Sequence, residues 1–290
     1  MGLPLEQILI QTINGLVNGM ILALVASGLT LIFGIMDVVN FAHGELVMLG
    51  AFTGATTLGV TGNFWLALVV ATLVIAAFGA ILQVTTLRPL LGRDPLTTIL
   101  ATFGISLVLQ KYALWQWGPS ARKLQEPISA QFSLFYLQYP WYRIATALLS
   151  AAIIGALFLF LKYGKFGIWI RAAMQDRVMA QAMGIPVPVV HTVVFAIGAG
   201  MAAASGVLFG PLAGVTQNIG ADFTLRAFIV VVVGGMGSLT GTLLGALIIG
   251  QLNSFGILFF PRFALVFVYV LMVVVLVTRP WGLLGKPLAR

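Results

Sequence analysis

Long apolar runs separated by short polar stretches dominate the chain. A helix needs about 20 apolar residues to cross the hydrocarbon core of a bilayer. The apolar runs predict helices near residues 10–36, 44–60, 64–87, 97–117, 144–161, 191–213, 239–257 and 264–279. The predicted fold class is therefore an all-α, polytopic transmembrane helix bundle, and we treat residues 1–290 as a single transmembrane domain.

A further apolar segment, residues 225–236, is too short for an ordinary crossing. As a helix it would span about 18 Å, less than the core of about 30 Å, so we predict a short or broken helix buried among the others. Inner loops of membrane proteins are rich in Lys and Arg. We place 162–190 on the cytoplasmic side. If the short helix crosses the membrane, nine basic residues lie on the cytoplasmic side and five, including Arg226, on the outer side. If it does not cross, seven basic residues lie on each side. The prediction is eight or nine crossings, and the charge count favours nine, with the N-terminus outside and the C-terminus inside.

Composition excludes a soluble protein. The chain is 60% hydrophobic and only 8% charged, with a mean hydropathy of +1.09, whereas soluble domains carry about 25% charged residues. The net charge of +8 comes from scattered basic residues, which fits the inner-loop bias and not a nucleic-acid surface. The chain has no Cys and only two distant His residues, so the sequence predicts no metal site.

Polar side chains mark one face of the first predicted helix. Asn14 and Asn18 lie on this face together with Gln11, and Ser27 follows further along. Amides inside a bilayer must face protein or water. Two readings are open: hydrogen bonding between helices, or the lining of a solute path. We name Asn14, Asn18 and Ser27 as candidates for the path.

The turn "MDVVNFAHGELVMLG" is the most polar stretch between two apolar helices. It contains Asp37, Asn40, His43 and Glu45. It is either a structural turn at the inner interface or a gate, and Asn40 and His43 join the path candidates. Proton coupling is disfavoured because coupling groups usually lie at mid-membrane depth, whereas we expect these residues at a helix end.

Glycines recur at spacings of four, which lets helix backbones approach closely. Gly237, Gly241 and Gly245 are expected on one helix face, and the same spacing is seen in Gly206/Gly210/Gly214, Gly15/Gly19 and Gly50/Gly54. Packing within the chain is favoured over a dimer interface. The aromatic-rich outer loop 118–143 is expected to be an interfacial segment or a docking surface for an external partner.

The mid-chain polar segment, defined here as residues 164–190, interrupts the apolar pattern. Its Ala-rich middle predicts a helix over 168–183 that ends at Gly184, with Pro186 preventing continuation. The helix is too short and polar to cross a bilayer. It fits either a knob on the cytoplasmic face that docks into a partner, or a plain interfacial helix.

Three stretches carry a resemblance to a known family. The pattern R-A-x-x-x-D-x-x-x-A-x-x-x-G resembles the coupling loop of ABC-importer permeases; its positions are Arg171, Ala172, Asp176, Ala180 and Gly184. Residues 28–52, which include "NFAHGE", and residues 232–250, which are rich in Gly, resemble two signatures of the branched-chain amino-acid permease family. The stretches occur in the family's order. Where other importer classes begin this loop with Glu-Ala-Ala, Arg171 precedes the two alanines.

The resemblance implies the first of two paired permease subunits of an ABC importer for branched-chain or related hydrophobic amino acids. It implies a second homologous permease, two cytoplasmic ATP-binding subunits, a periplasmic solute-binding protein and a bacterial inner-membrane location. The chain itself is expected to be no enzyme and to need no cofactor, since ATP is bound by the partner subunits. A urea or short-amide importer is the alternative within the family, and a stand-alone channel or secondary carrier is the alternative outside it.

Overall fold

Helices and one β-hairpin make up the part of the chain that the computed structural model describes, residues 5–134 and 137–285. The helices are α1 Leu5–Met36, α2 His43–Thr61, α3 Phe64–Leu82, α4 Pro95–Trp117, α5 Trp141–Tyr163, α6 Lys165–Gln175, α7 Arg177–Ala182, α8 Val187–Ala213, α9 Ile219–Gly234, α10 Leu239–Phe259 and α11 Ala264–Thr278. The strands are β1 Gln131–Leu134 and β2 Leu137–Pro140. The predicted all-α, polytopic bundle is confirmed.

Several helices begin at side-chain caps that the sequence carries. Asn63 accepts hydrogen bonds from the backbone N–H groups of Trp65 and Leu66 at the start of α3. Asp94 does the same for α4, and Ser238 for α10. Short polar side chains satisfy donors that the first turn of a helix leaves without partners. The apolar runs are thereby cut into separate helices at defined residues.

Helix α1 forms the centre of the bundle, with α8 and α10 packed against it. Glycines allow these contacts: a Cβ on Gly19 would lie 3.1 Å from the Ala246 carbonyl oxygen of α10, and one on Gly28 would lie 2.8 Å from the Gly198 carbonyl oxygen of α8. Close backbone approach of this kind is how small residues pack helices in lipid. The glycine spacings therefore serve packing within the chain.

Within the described residues, seven helical segments are long and apolar enough to cross a membrane: α1, α3, α4, α5, α8, α10 and, together with the 3-10 turn Pro261–Phe263, α11. Helix α2 does not qualify. Helix α9 has 16 residues and a largely buried apolar side, so it spans about 24 Å and is the short, buried helix that the sequence predicted. The total of eight or nine crossings remains a prediction.

Contacts at the helix ends define two sides of the bundle. On one side, Gly34 near the end of α1 lies beside Met174 of the mid-chain polar segment, and the N–H of Leu284 donates to the carbonyl of Gly234. On the other side, Asn14 near the start of α1 bonds to Tyr139 of the hairpin. We call these the polar-segment side and the hairpin side. The described end of the chain thus shares a side with the polar segment, which agrees with an odd number of crossings.

The hairpin is a feature that the sequence analysis did not predict. Strands β1 and β2 pair antiparallel with Phe132 opposite Tyr139, inside the loop expected to be an interfacial segment. Next to it, Arg122 and Val215 exchange two backbone hydrogen bonds of 3.0 and 2.8 Å. The loop is therefore folded onto the bundle.

Candidate functional site

The mid-chain polar segment contains two helices, α6 and α7, which meet at Asp176. The prediction of one helix over 168–183 is wrong. Asp176 adopts an extended backbone conformation (φ −152°, ψ 110°), and its carboxylate oxygen Oδ1 accepts a hydrogen bond of 2.9 Å from the Met179 N–H. An Asp side chain can cap a new helix in this way instead of continuing the old one. Asp176 is therefore the corner of the segment.

Gly184 ends α7 in a left-handed conformation, with φ +82°. Its N–H donates to the carbonyl of Gln181, and the N–H of Ile185 donates to that of Ala180, which is a Schellman motif. No heavy atom lies within 4 Å of the position a Cβ would take. The need for glycine here comes from the backbone conformation, not from lack of space.

Arg177 attaches the segment to the end of α1. Its guanidinium donates to the Asp37 carboxylate at 3.1 Å and also to the carbonyl oxygen of Ile35, in the last turn of α1. The carbonyls of a last turn have no partners within their helix. Asp37 itself has φ +52°. A displacement of α7 is thereby linked directly to the end of α1.

The outer surface of the segment presents apolar side chains. Val178 is 78% exposed, Met179 60% and Met183 77%, whereas Ala180 beneath them is 4% exposed. Arg171 and Lys162 line a neighbouring cavity of about 350 Å³ at the junction with α1 and α10. The coupling candidates Arg171, Ala172, Asp176, Ala180 and Gly184 thus lie along one bent segment, with Met side chains beside them that are adaptable in contacts.

Asn14 holds the hairpin to α1. Its carbonyl oxygen Oδ1 accepts hydrogen bonds of 2.9 Å from the Tyr139 hydroxyl and from Arg143. Burial raises the pKa of Tyr139, which keeps its hydroxyl protonated as a donor. Asn14 thus makes the contact of α1 with the hairpin, and its role in a solute path stays a prediction.

Asn18 has different surroundings: it lines a cavity of about 350 Å³ together with Arg226 and Asn253. A second cavity of about 70 Å³ adjoins it, shares Arg226 and Asn253, and adds Asp222. We call the two together the Arg226 cavity. Leu22, near the middle of α1, lines both; Arg226 is half-buried there and Asp222 is exposed. The charge count put Arg226 on the outer side of the membrane; in the structure it belongs to α9, which begins at Ile219.

His43 and Asn40 lie deep in the bundle too. The His43 Nε2 atom is 3.1 Å from the carbonyl oxygen of Val25, which precedes the end of α1 at Met36 by about 16 Å of helix. The Asn40 Oδ1 atom accepts from the Ala42 N–H at 3.0 Å. The chain after α1 runs back into the bundle before α2 begins. The turn lies between the end of α1 and the start of α2, as expected, but it reaches the level of Val25 instead of staying level with the end of α1.

Glu45 binds α4 to α2 at the same depth. Its Oε1 atom accepts hydrogen bonds from the Ser106 hydroxyl at 3.0 Å and from the Gln110 amide at 2.7 Å. The Gly44 N–H donates to the Thr224 hydroxyl of α9 at 3.2 Å. We call Asn40, His43, Glu45 and Ser106 the central cluster; all four are buried. In the described residues, no three His, Asp or Glu side chains form a possible metal site. Ser27 is also fully buried and lines neither of the cavities described above.

The three C-terminal glycines do not share one helix face. Gly237 lies in the turn before α10, with φ +81°, and only Gly241 and Gly245 belong to the helix. A Cβ on Gly241 would lie 2.0 Å from the Gly234 carbonyl oxygen, and one on Gly245 would lie 3.1 Å from the Gly234 nitrogen. These two glycines pack α10 against the end of α9.

The seven membrane-length helices in the described part of the chain indicate a multi-pass membrane protein. Residues 11–276 match the family model described as "Branched-chain amino acid transport system / permease component". The chain belongs to this family of ABC-transporter permeases, whose signatures the sequence resembles, and that resemblance is confirmed.

Relatives support the assignment along most of the chain. The high-affinity branched-chain amino acid transport system permease protein BraD of Pseudomonas aeruginosa is 31% identical, covering 96% of this chain and 95% of its own length. The permease protein LivH of the corresponding system in Escherichia coli K12 is 30% identical with the same coverage. LivM from that organism is 27% identical over 93% of this chain and 69% of its own length. These relatives are transport permease components, not enzymes.

Proposed function

We propose that this chain is a membrane-spanning subunit of an ABC importer that moves branched-chain or related hydrophobic amino acids into the cytoplasm. Two cytoplasmic ATP-binding subunits supply the energy, a second homologous permease completes the path, and a periplasmic binding protein delivers the solute. The location is the bacterial inner membrane. The names of BraD and LivH support the substrate class, and similarity to both LivH and LivM supports paired permeases.

The bent polar segment is the observation that carries the proposal. Val178, Met179 and Met183 present an exposed apolar surface, which suits docking of a short helix into a groove of a partner. Arg177 joins the same segment to the end of α1. Movement of a docked ATPase would therefore be transmitted to the helix that carries Asn18.

The test uses the complete importer in proteoliposomes, with leucine uptake and ATP hydrolysis measured in parallel. Gly184→Leu forces a side chain into a left-handed conformation at a cost of about 1–2 kcal/mol, and Asp176→Leu removes the cap of α7. We expect both variants to lose most leucine uptake while ATP hydrolysis continues. Gly92→Leu is the matched control, because Gly92 also has a positive φ (+85°) and open surroundings.

Wild-type uptake in both variants would contradict the coupling role. The same vesicles distinguish the alternatives. Uptake of urea or short amides instead of leucine would indicate the other branch of the family. Uptake driven by an ion gradient, in vesicles that contain this chain alone, would establish a carrier and refute the ABC mechanism.

A further inference from the structure

The Arg226 cavity contains charged and amide side chains that no feature of the fold employs. Within residues 5–134 and 137–285, no side-chain hydrogen bond or ion pair involves Asn18, Asp222, Arg226 or Asn253. The central cluster differs, since Glu45 there is tied to α4. A charged side chain among membrane-spanning helices is costly and usually serves a substrate or ion path. The unused polar groups of the cavity therefore point to a ligand.

Charge spacing in the cavity indicates what kind of ligand it fits. Asp222 and Arg226 are four residues apart in α9, and side chains at this spacing are neighbours on one helix face, about 5–6 Å apart at Cβ. Despite this, no ion pair joins them in the described structure. An anion alone would be repelled by Asp222, and a cation alone by Arg226. A ligand that carries both charges on adjacent groups suits the pair.

Walls of the cavity are apolar. Leu22 of α1, Ile249 of α10 and Leu265 of α11 lie around the charged pair, and Phe223 and Ile257 line the larger part. The larger cavity, about 350 Å³, falls within the range of small-molecule sites. It extends toward Pro261 and Ala264, at the hairpin-side ends of α10 and α11. A small molecule with a hydrophobic side chain fits such walls, and it would enter from the hairpin side.

We infer that the Arg226 cavity binds a zwitterionic, hydrophobic amino acid during transport. Arg226 binds the α-carboxylate, Asp222 the α-ammonium group, and the amides of Asn18 and Asn253 supply further hydrogen bonds. Guanidinium groups suit carboxylates because they present paired donors. This inference rests on the proposed function and adds the residues that recognise the substrate.

The test measures ligand binding to the purified complex of this chain with its partner permease and ATPases, without the binding protein. The probes are radiolabelled leucine, 4-methylpentanoate, which lacks the ammonium group, and isopentylamine, which lacks the carboxylate. The variants are Arg226→Gln and Asp222→Asn. Arg262→Gln is the control, because Arg262 is an exposed basic residue at the α10–α11 turn and lines neither part of the cavity.

A crossed pattern is expected. Arg226→Gln should weaken the binding of leucine and of 4-methylpentanoate by about tenfold or more, as for loss of a hydrogen bond to a charged group. It should leave the binding of isopentylamine unchanged. Asp222→Asn should weaken the binding of leucine and of isopentylamine and leave the binding of 4-methylpentanoate unchanged. Arg262→Gln should match the wild type for all three probes.

An equal loss of binding of all three probes in both variants would indicate a structural role and overturn the inference. Unchanged leucine binding in both variants would also overturn it. The proposed function can fail separately. If the variants show the crossed pattern but the wild-type complex shows no ATP-driven leucine uptake, import is refuted and the binding site is still supported. ATP-driven leucine uptake by the wild-type complex, without the crossed pattern in the variants, would refute the binding site and still support import.

Discussion

The central cluster and the Arg226 cavity both place polar side chains among apolar helices, but the cluster is buried, whereas Arg226 is half-buried and Asp222 exposed. In the central cluster, Glu45 and His43 each bond to neighbouring helices through one side-chain atom, while Glu45 Oε2 and His43 Nδ1 are buried without a partner among the described residues. In the cavity, Asp222 and Arg226 lie one turn apart without an ion pair between them. Polar groups in a membrane are costly in both cases. The difference teaches that side chains bonded across helices support the fold, whereas side chains that make no such bond and line a cavity are available to a solute.

The strongest test of this contrast concerns the start of α2. A Cβ on Gly44 would lie 2.1 Å from the Gly220 carbonyl oxygen and 2.2 Å from the Thr224 hydroxyl. We expect Gly44→Ala to lower the free energy of unfolding by about 3 kcal/mol, since overpacking against backbone forces α2 and α9 apart. Thermal unfolding of the purified protein in detergent measures this. Gly59→Ala, in the same helix with no atom within 4 Å, should be neutral or gain up to about 1 kcal/mol. Equal stability of the two variants would contradict the close contact.

Glu45→Ala is expected to have the next largest effect on stability. It removes the acceptor of Ser106 and Gln110, and a buried polar group without its partner costs about 1–3 kcal/mol. Glu45→Gln keeps a carbonyl oxygen at this position, so it should lose clearly less. The same unfolding measurement compares the two. If Gln destabilises as much as Ala, the hydrogen bonds are not the reason that Glu45 matters.

Arg226→Gln should have the smallest effect on stability. Because the Arg226 side chain has no hydrogen-bond or ion-pair partner among the described residues, its loss should change the free energy of unfolding by no more than about 0.5 kcal/mol. Arg262→Gln provides the charge-matched comparison. A loss of stability close to that of Glu45→Ala would show that Arg226 supports the fold, and the contrast between the two regions would disappear.

Sequence patterns predicted the fold well wherever an apolar run is long and capped. Asn63 and Asp94 mark starts that the apolar pattern also gives. The break at Asp176 was missed because the Ala-rich pattern on both sides favours a continuous helix. An Asp three residues before Met179 was the available signal, since Asp is a preferred cap.

The position of polar residues along the bundle axis could not be predicted from the sequence. Turn residues such as Asn40 and Gly44 suggest a helix end at the membrane surface, yet the chain after α1 returns to the level of Val25 before α2 begins. Arg226 was counted on the outer side, at the start of the apolar segment 225–236, whereas α9 starts seven residues earlier, at Ile219. Both positions depend on how distant helices pack, and a one-dimensional pattern does not record that. Asn18 was a candidate from the pattern; its neighbours Asp222 and Asn253 were not.

Helix α1 is continuous over 32 residues and contains no proline, so it is about 48 Å long. The Arg177 guanidinium donates a hydrogen bond to the Ile35 carbonyl in its last turn, and Asn18 lies about midway along it. Helix α1 therefore connects the mid-chain polar segment with the Arg226 cavity as one continuous element. If α7 moves as proposed, a tilt of α1 by a few degrees would reorient the Asn18 amide in that cavity.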